Sequence, residues 1–291
     1  MARGSARILD DDEEIDLATF MLDACGIDYS DFFEDERILT RENLEKNFKF
    51  LKKMTDIRYS RRAPYFVLGY FILITGAKMP EDLRQEILDA TRWEYEEGRW
   101  YDKGAELERK IYLNDFREKI RKHVPGKKLH PIRLIYLNGK NDLYTKNRKH
   151  TIIGLKELQE ARETGKIHYV KHVLLQGWGL KTIPEIIFDM KGLQSLCLEY
   201  NQLDKIPEDI SNLASLKIIC LSYNYFKDFP ESITKLPLLE VVSINNNYIS
   251  ILPESINKLK LLKTLYIRKN KINKIPGYLG TEKFKIFYKF D

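Results

Sequence analysis

Two hydrophobic rhythms run along this chain. Between Arg41 and about Lys122, apolar residues recur three and four positions apart in ENLEKNFKFLKKM, APYFVLGYFILI, MPEDLRQEILDATRWEYEE and AELERKIYLNDFREKIRK, which predicts helices. Pro80 with Glu81 and Asp82 marks a helix start. The second stretch is apolar on every side, as a helix buried in a bundle would be. At about half the ~20 residues needed to cross a bilayer, its run Tyr65 to Ile74 predicts a buried helix and no membrane span.

From Val170 onward the rhythm becomes a block that repeats. Asn201, Asn224, Asn247 and Asn270 lie 23 residues apart, as do Pro184, Pro207, Pro230, Pro253 and Pro276. Four full units follow in register: LQSLCLEYNQLDKIPEDISNLAS, LKIICLSYNYFKDFPESITKLPL, LEVVSINNNYISILPESINKLKL and LKTLYIRKNKINKIPGYLGTEKF. Within each, a pair such as Leu196 and Leu198 or Ile219 and Leu221 alternates as the inward side of a short strand must. The asparagine falls where the chain leaves the strand, where its amide satisfies backbone groups that the turn buries. Proline then sets an extended turn, and pairs such as Ile210 and Leu213 close the core from the convex side. One unit alone could not bury its face, so stacked units with a parallel sheet are expected.

This pattern resembles the leucine-rich repeat family, and its 23-residue spacing with the IPxxIxxL segment is similar to the Ras-suppressor subclass. The resemblance covers residues of about 170–291. It implies a curved protein-binding scaffold, which in some members handles small GTPases or phosphatases. A looser resemblance links FVLGYFILITGAKMPEDLRQEILDATRWE to small helical domains of unknown function, some found beside bacterial toxin immunity genes. The fold expected is therefore α+β: a helical domain at 1–125 with an acidic leading segment, a basic connecting region and repeat cap at 126–168, and the repeats at 169–291.

Aligning the units sorts outward positions into columns, because neighbouring strands lie about 4.8 Å apart. The columns are His172, Ser195, Ile218, Val241, Thr264; then Leu174, Cys197, Cys220, Ser243, Tyr266; then Gln176, Glu199, Ser222, Asn245, Arg268; then Gly177, Tyr200, Tyr223, Asn246, Lys269. Leu174, Glu199, Tyr200, Ile218, Tyr223, Asn245, Asn246, Tyr266, Arg268 and Lys269 are the expected partner contacts, with tyrosines as amphipathic anchors. The competing reading for Tyr200 and Tyr223 is that they stack on each other across adjacent strands.

Both ends of the array depart from the pattern. In VKHVLLQGWGLKTIPEIIFDMKG, Trp178 stands where the ladder asparagine belongs, and packing against a cap such as the helical stretch Gly154 to Glu163 accounts for it. KIFYKFD begins a further strand, and Phe284, Ile286 and Phe287 near its uncovered edge are expected to be partly exposed; a monomer whose last strand is solvated and protected by Lys283, Lys285 and Lys289 stands ahead of a weak dimer through this edge.

Charge narrows the choice of partner. The net +6 conceals 12 acidic against 2 basic residues over 1–36 and 30 basic against 19 acidic over 37–168. Attraction between these fields within the protein explains them without a nucleic acid. Binding of nucleic acid by the basic stretch 121–150 is the third reading, and it lacks interleaved aromatics. Residues 258–291 hold ten Lys and Arg against two acids, suited to an acidic patch on a partner.

Cys25, Cys197 and Cys220 show no metal-ligand spacing and fit a reducing cytoplasm, and nothing resembling a signal peptide opens the chain. No cofactor or metal site is expected. His168 and His172 would stand about 13 Å apart in a strand, too far to share a metal. No phosphate-binding or nucleophile motif is present, so the chain reads as a non-enzymatic interaction module. The alternative is a catalytic or toxin-neutralising helical domain that uses Glu94, Glu97 or the acidic run at Asp10, with the repeats selecting its target.

Overall fold

The computed structural model describes residues 12–55, 62–100, 103–132, 148–279 and 284–288. Two compact units divide the chain, Met1–Asn141 and Asp142–Asp291.

Among the described residues of the first unit, six α-helices pack around buried apolar side chains: α1 (Asp12–Asp23), α2 (Tyr29–Glu34), α3 (Arg41–Met54), α4 (Ala63–Thr75), α5 (Glu81–Ala90) and α6 (Lys103–Lys122). The apolar stretch becomes α4, with Phe66, Val67, Leu68, Phe71, Ile72 and Leu73 all buried. Pro64 starts this helix, and Gly76 ends it in the left-handed conformation. A Cβ at Gly76 would lie 3.2 Å from the backbone of Gly126 and Lys127, so a side chain there would push the following segment away. That segment is bonded back to α4 by Gly126 N–H to Gly76 O and Leu129 N–H to Leu73 O, both at 2.8 Å.

From Asp12 the acidic leading stretch forms α1 and α2, which its charge concealed. Ala18, Met21 and Leu22 of α1 and Phe32 of α2 are buried, while the carboxylates of the same elements lie mostly outward. The third predicted helix ends sooner than its pattern suggested. It stops at Ala90, and Trp93–Tyr95 form a 3₁₀ turn whose rings are only partly buried, with the Lys110 ammonium over the Trp93 ring at 4.2 Å.

Among the described residues of this unit, charge is buried around Glu96 and around Lys119. Glu96 accepts from Arg62 Nη2 at 2.8 Å and Arg109 Nη2 at 3.0 Å. Burial alone would raise the Glu96 carboxyl, but the two guanidiniums hold it below its ordinary range. Lys119 donates to both oxygens of Asp115 at 2.7 and 2.8 Å, and Asp115 also accepts from Ile132 N–H.

The second unit is a solenoid around a seven-stranded parallel sheet in sequence order: β1 (Thr151–Ile153), β2 (His172–Leu174), β3 (Ser195–Cys197), β4 (Ile218–Cys220), β5 (Val241–Ser243), β6 (Thr264–Tyr266) and β7 (Lys285–Phe287). Between β1 and β2 lies α7 (Gly154–Glu163); later strands are followed by 3₁₀ turns that begin just after Pro184, Pro207, Pro230 and Pro253. The sheet therefore begins one strand ahead of the repeat pattern. Trp178 is buried in the core with Ile152 and Leu158, beside Gly154 at the start of α7, as a capping role requires. Residues 133–147 of the basic connecting region lie outside the described residues; beyond them, Arg148 is paired with Glu157.

Candidate partner-binding face

The predicted columns are real neighbours. Register aligns His172, Ser195, Ile218, Val241 and Thr264, then Leu174, Cys197, Cys220, Ser243 and Tyr266, with Lys285 and Phe287 extending the two rows on β7.

The asparagine ladder fixes them. Asn224 Nδ2 donates to Leu198 O at 2.9 Å and Leu221 O at 3.0 Å, while its Oδ1 accepts from Leu203 N–H at 3.0 Å. Asn201, Asn247 and Asn270 make the same set one unit earlier or later. Where Trp178 replaces the asparagine, its own N–H is taken up by Asn201 Oδ1 at 3.0 Å.

The residue just before each ladder asparagine turns the chain in the left-handed region: Tyr200, Tyr223, Asn246 and Lys269 have φ of 55, 57, 53 and 51°, with Gly177 at 66° in the first unit. The fourth column is thus a turn position before it is a contact position, since a side chain in that region costs roughly 1 kcal/mol or more. Tyr200 and Tyr223 stack at 4.1 Å with 11° between ring planes, which accommodates their shared conformation. They are half-buried, so the stacking and the partner readings coexist. Asn246 is buried and acts as a turn residue.

Openness of the face changes along the sheet. Leu174 is 1% exposed and Glu199, which accepts from Gln176 Nε2 at 2.8 Å, is also buried, so neither is available as a contact in this structure. Cys197, Cys220 and Ser195 are closed as well; each is a small side chain flanked by neighbours on both adjacent strands. Ile218, Val241, Thr264, Tyr266, Asn245, Arg268 and Lys269 are part-exposed. Tyr266 stacks on Phe287 at 5.0 Å, and the Arg268 guanidinium lies 5.5 Å from the Phe287 centroid. Asn245 Oδ1 accepts from Arg268 N–H at 2.7 Å. Phe284, expected to be partly exposed, is buried in the solenoid core, whereas Ile286 and Phe287 are half-buried.

Titratable chemistry on this face is quiet. A hydrogen bond from Cys197, together with burial, pushes the Cys220 thiol well above its ordinary range, which disfavours a reactive thiolate. Burial, with Lys171 and His150 adding to it, pulls His172 down to about 4. Among the described residues no group of three or more His, Cys, Asp or Glu side chains is placed to hold a metal, and no helix is long and apolar enough to cross a membrane. Glu94 and Glu97 are exposed, while Asp10 lies outside the described residues.

One column escaped the sequence reading. Tyr225, Tyr248 and Lys271 each follow a ladder asparagine by one residue, and the aligned units show them directly once that position is treated as outward.

The model of the leucine-rich repeat family matches residues 192–213, which carry β3 and the first ladder asparagine. The carboxy-terminal unit is a leucine-rich repeat domain. Among curated proteins nothing matches the chain. Solved structures similar to it include a leucine-rich repeat protein of Leptospira interrogans, 28% identical over 44% of this chain and 33% of that one, with a TM-score of 0.40. An internalin of Listeria monocytogenes is 22% identical over 48% of this chain and 38% of its own, with a TM-score of 0.38. This chain spans about a third of the length of the first and 38% of the second. Leucine-rich repeat domains generally mediate binding between proteins.

Proposed function

We propose that this leucine-rich repeat protein is a non-enzymatic interaction scaffold whose partner protein docks on the open, carboxy-terminal part of the sheet face, centred on Ile218, Val241 and Tyr266. The observation that carries this reading is the contrast in exposure along one sheet. Polar Ser195 and Glu199 are closed, whereas apolar Ile218 and Val241 stay accessible on strands whose inward side chains already fill the core. Accessible aliphatics flanked by Tyr266 and Arg268 have the make-up of an interface centre. The ladder holds them rigidly, which lowers the ordering cost of binding. Three buried cysteines, none of them in a disulfide, suit a reducing compartment, and we place the protein in the cytoplasm.

Crosslinked capture with the full chain as bait tests the face. A partner recovered by the wild type and by the convex-side variant Lys205→Glu should be lost by Ile218→Asp/Val241→Asp, with the thermal transition of the double variant within a few degrees of wild type. Equal recovery by all three proteins overturns the assignment.

A further inference from the structure

The column that follows the ladder has no role in the core, since the next residues, Leu203, Phe226 and Ile249, fill the interior. Its backbone is fixed nonetheless. Tyr225 N–H bonds to Leu203 O, Tyr248 N–H to Phe226 O and Lys271 N–H to Ile249 O, each at 2.8 Å. Tyr225 and Tyr248 stack with centroids 6.2 Å apart and 11° between planes, and the Lys271 ammonium stands 5.4 Å from the Tyr248 centroid. Tyr225 is 46% exposed, and Lys271 is exposed. Neither phenol oxygen, nor the Lys271 ammonium, has a hydrogen-bond or ion-pair partner among the described residues. A row of three donors is thus held open at the rim of the repeats, at the end of the chain that carries ten basic residues against two acids over 258–291.

We propose that this rim receives an extended acidic segment of the partner protein, with carboxylates at alternate positions. The inference rests on the reading that the repeats bind a protein, and it names the chemistry of that protein's contact segment. An extended chain presents alternate side chains on one face about 6.6 Å apart, close to the 6.2 Å between the stacked tyrosines. Carboxylates accept hydrogen bonds from phenol O–H and ammonium N–H groups without leaving a donor unpaired. The Lys271 ammonium takes one face of the Tyr248 ring, a face that single-stranded nucleic acid would need as a stacking platform.

The test uses the full chain and three labelled probes in fluorescence anisotropy at about 20 and 150 mM salt: the peptide ESESESESES, its block isomer EEEEESSSSS, and a ten-nucleotide oligothymidine. The alternating peptide should bind saturably and at least threefold tighter than the block isomer, and weaken with salt. Lys271→Glu should cost at least tenfold. Tyr225→Phe/Tyr248→Phe, which keeps the stack and removes only the hydroxyls, should cost several-fold with an unchanged thermal transition. No binding of the alternating peptide at low salt, equal binding of the block isomer, or indifference to Lys271→Glu overturns the proposal. Tighter binding of the oligothymidine, lost in Lys271→Glu, overturns it in favour of nucleic acid. If the peptide fails while Ile218→Asp/Val241→Asp still abolishes capture, the acidic chemistry is wrong and the docking face stands; if the peptide binds while that double variant captures the partner as well as the wild type, the docking face is wrong and the acidic chemistry stands.

Discussion

Replacing Asn224 by alanine removes the central rung of the ladder, and the loss can be worked from its bonds. Leu203 N–H loses the acceptor Oδ1, while Leu198 O and Leu221 O lose the donor Nδ2, all in buried surroundings. A buried group left unsatisfied costs about 1–3 kcal/mol, and some of the carbonyls keep other partners, so a loss of about 3–5 kcal/mol is expected. Asn270→Ala deletes an equivalent set at a part-exposed rung, where water can replace the side chain, and should cost about 1–2 kcal/mol. Asn224→Asp keeps the shape and the acceptors but aims a carboxylate at two carbonyls, and should do no better than alanine. Because repeats can open separately, native-state hydrogen exchange at the β3–β5 amides is the suitable assay, with urea denaturation as the global reference. Equal losses for Asn224→Ala and Asn270→Ala, or a loss under about 1 kcal/mol for the former, would refute the hydrogen-bond account.

Further expectations concern single positions. His172, held down to about 4 from 6.5, is neutral in the fold, so its contribution is complete above pH 6.5 and is lost as pH falls toward 4. From pH 7 to 5 the wild type should lose about 2 kcal/mol more than His172→Gln in paired urea titrations, and parallel curves would discard the argument. Lys269→Gly should stabilise by roughly 0.5 kcal/mol, relief of left-handed strain less the glycine entropy, whereas Asn246→Gly should gain nothing because asparagine tolerates that region; thermal denaturation decides. Gly154→Ala places a Cβ 3.1 Å from Trp178 Cζ2 at φ 78°, and should lower the repeat stability by about 2 kcal/mol, seen as lost protection in β1 and β2. Lys119→Met strands the buried Asp115 carboxylate and should cost about 3–5 kcal/mol, most of it recovered in Lys119→Met/Asp115→Leu.

The repeats were legible because their fold is written in one-dimensional periodicity: strand, asparagine and proline recur at fixed spacing, and register follows from counting. The two outward columns on the strands, including Ile218, Val241 and Tyr266, were placed by the same counting. Burial was not legible, since Leu174 and Glu199 share columns with open residues and differ only in what surrounds them in three dimensions. Conformation of the fourth column was hidden too, because tyrosine, asparagine and lysine share no left-handed signature beyond the glycine at the head of the column. In the helical unit the short elements α1 and α2 were masked by acidic composition, whereas α4 announced itself by being apolar on every side.

The direction of the ladder bonds has a consequence for how the protein is made. Each asparagine completes the turn of the unit before its own: Asn201 serves Leu175, Trp178 and Leu180, Asn224 serves Leu198 and Leu203, Asn247 serves Leu221 and Phe226. A nascent chain that has just released one repeat from the ribosome therefore holds a turn with bare amides and carbonyls until the next asparagine emerges. Each turn is thus completed only when the chain one 23-residue period further on has emerged, so a pause with the next ladder asparagine still inside the ribosome would leave the last turn unfinished, whereas one with that asparagine released would leave a sealed stack.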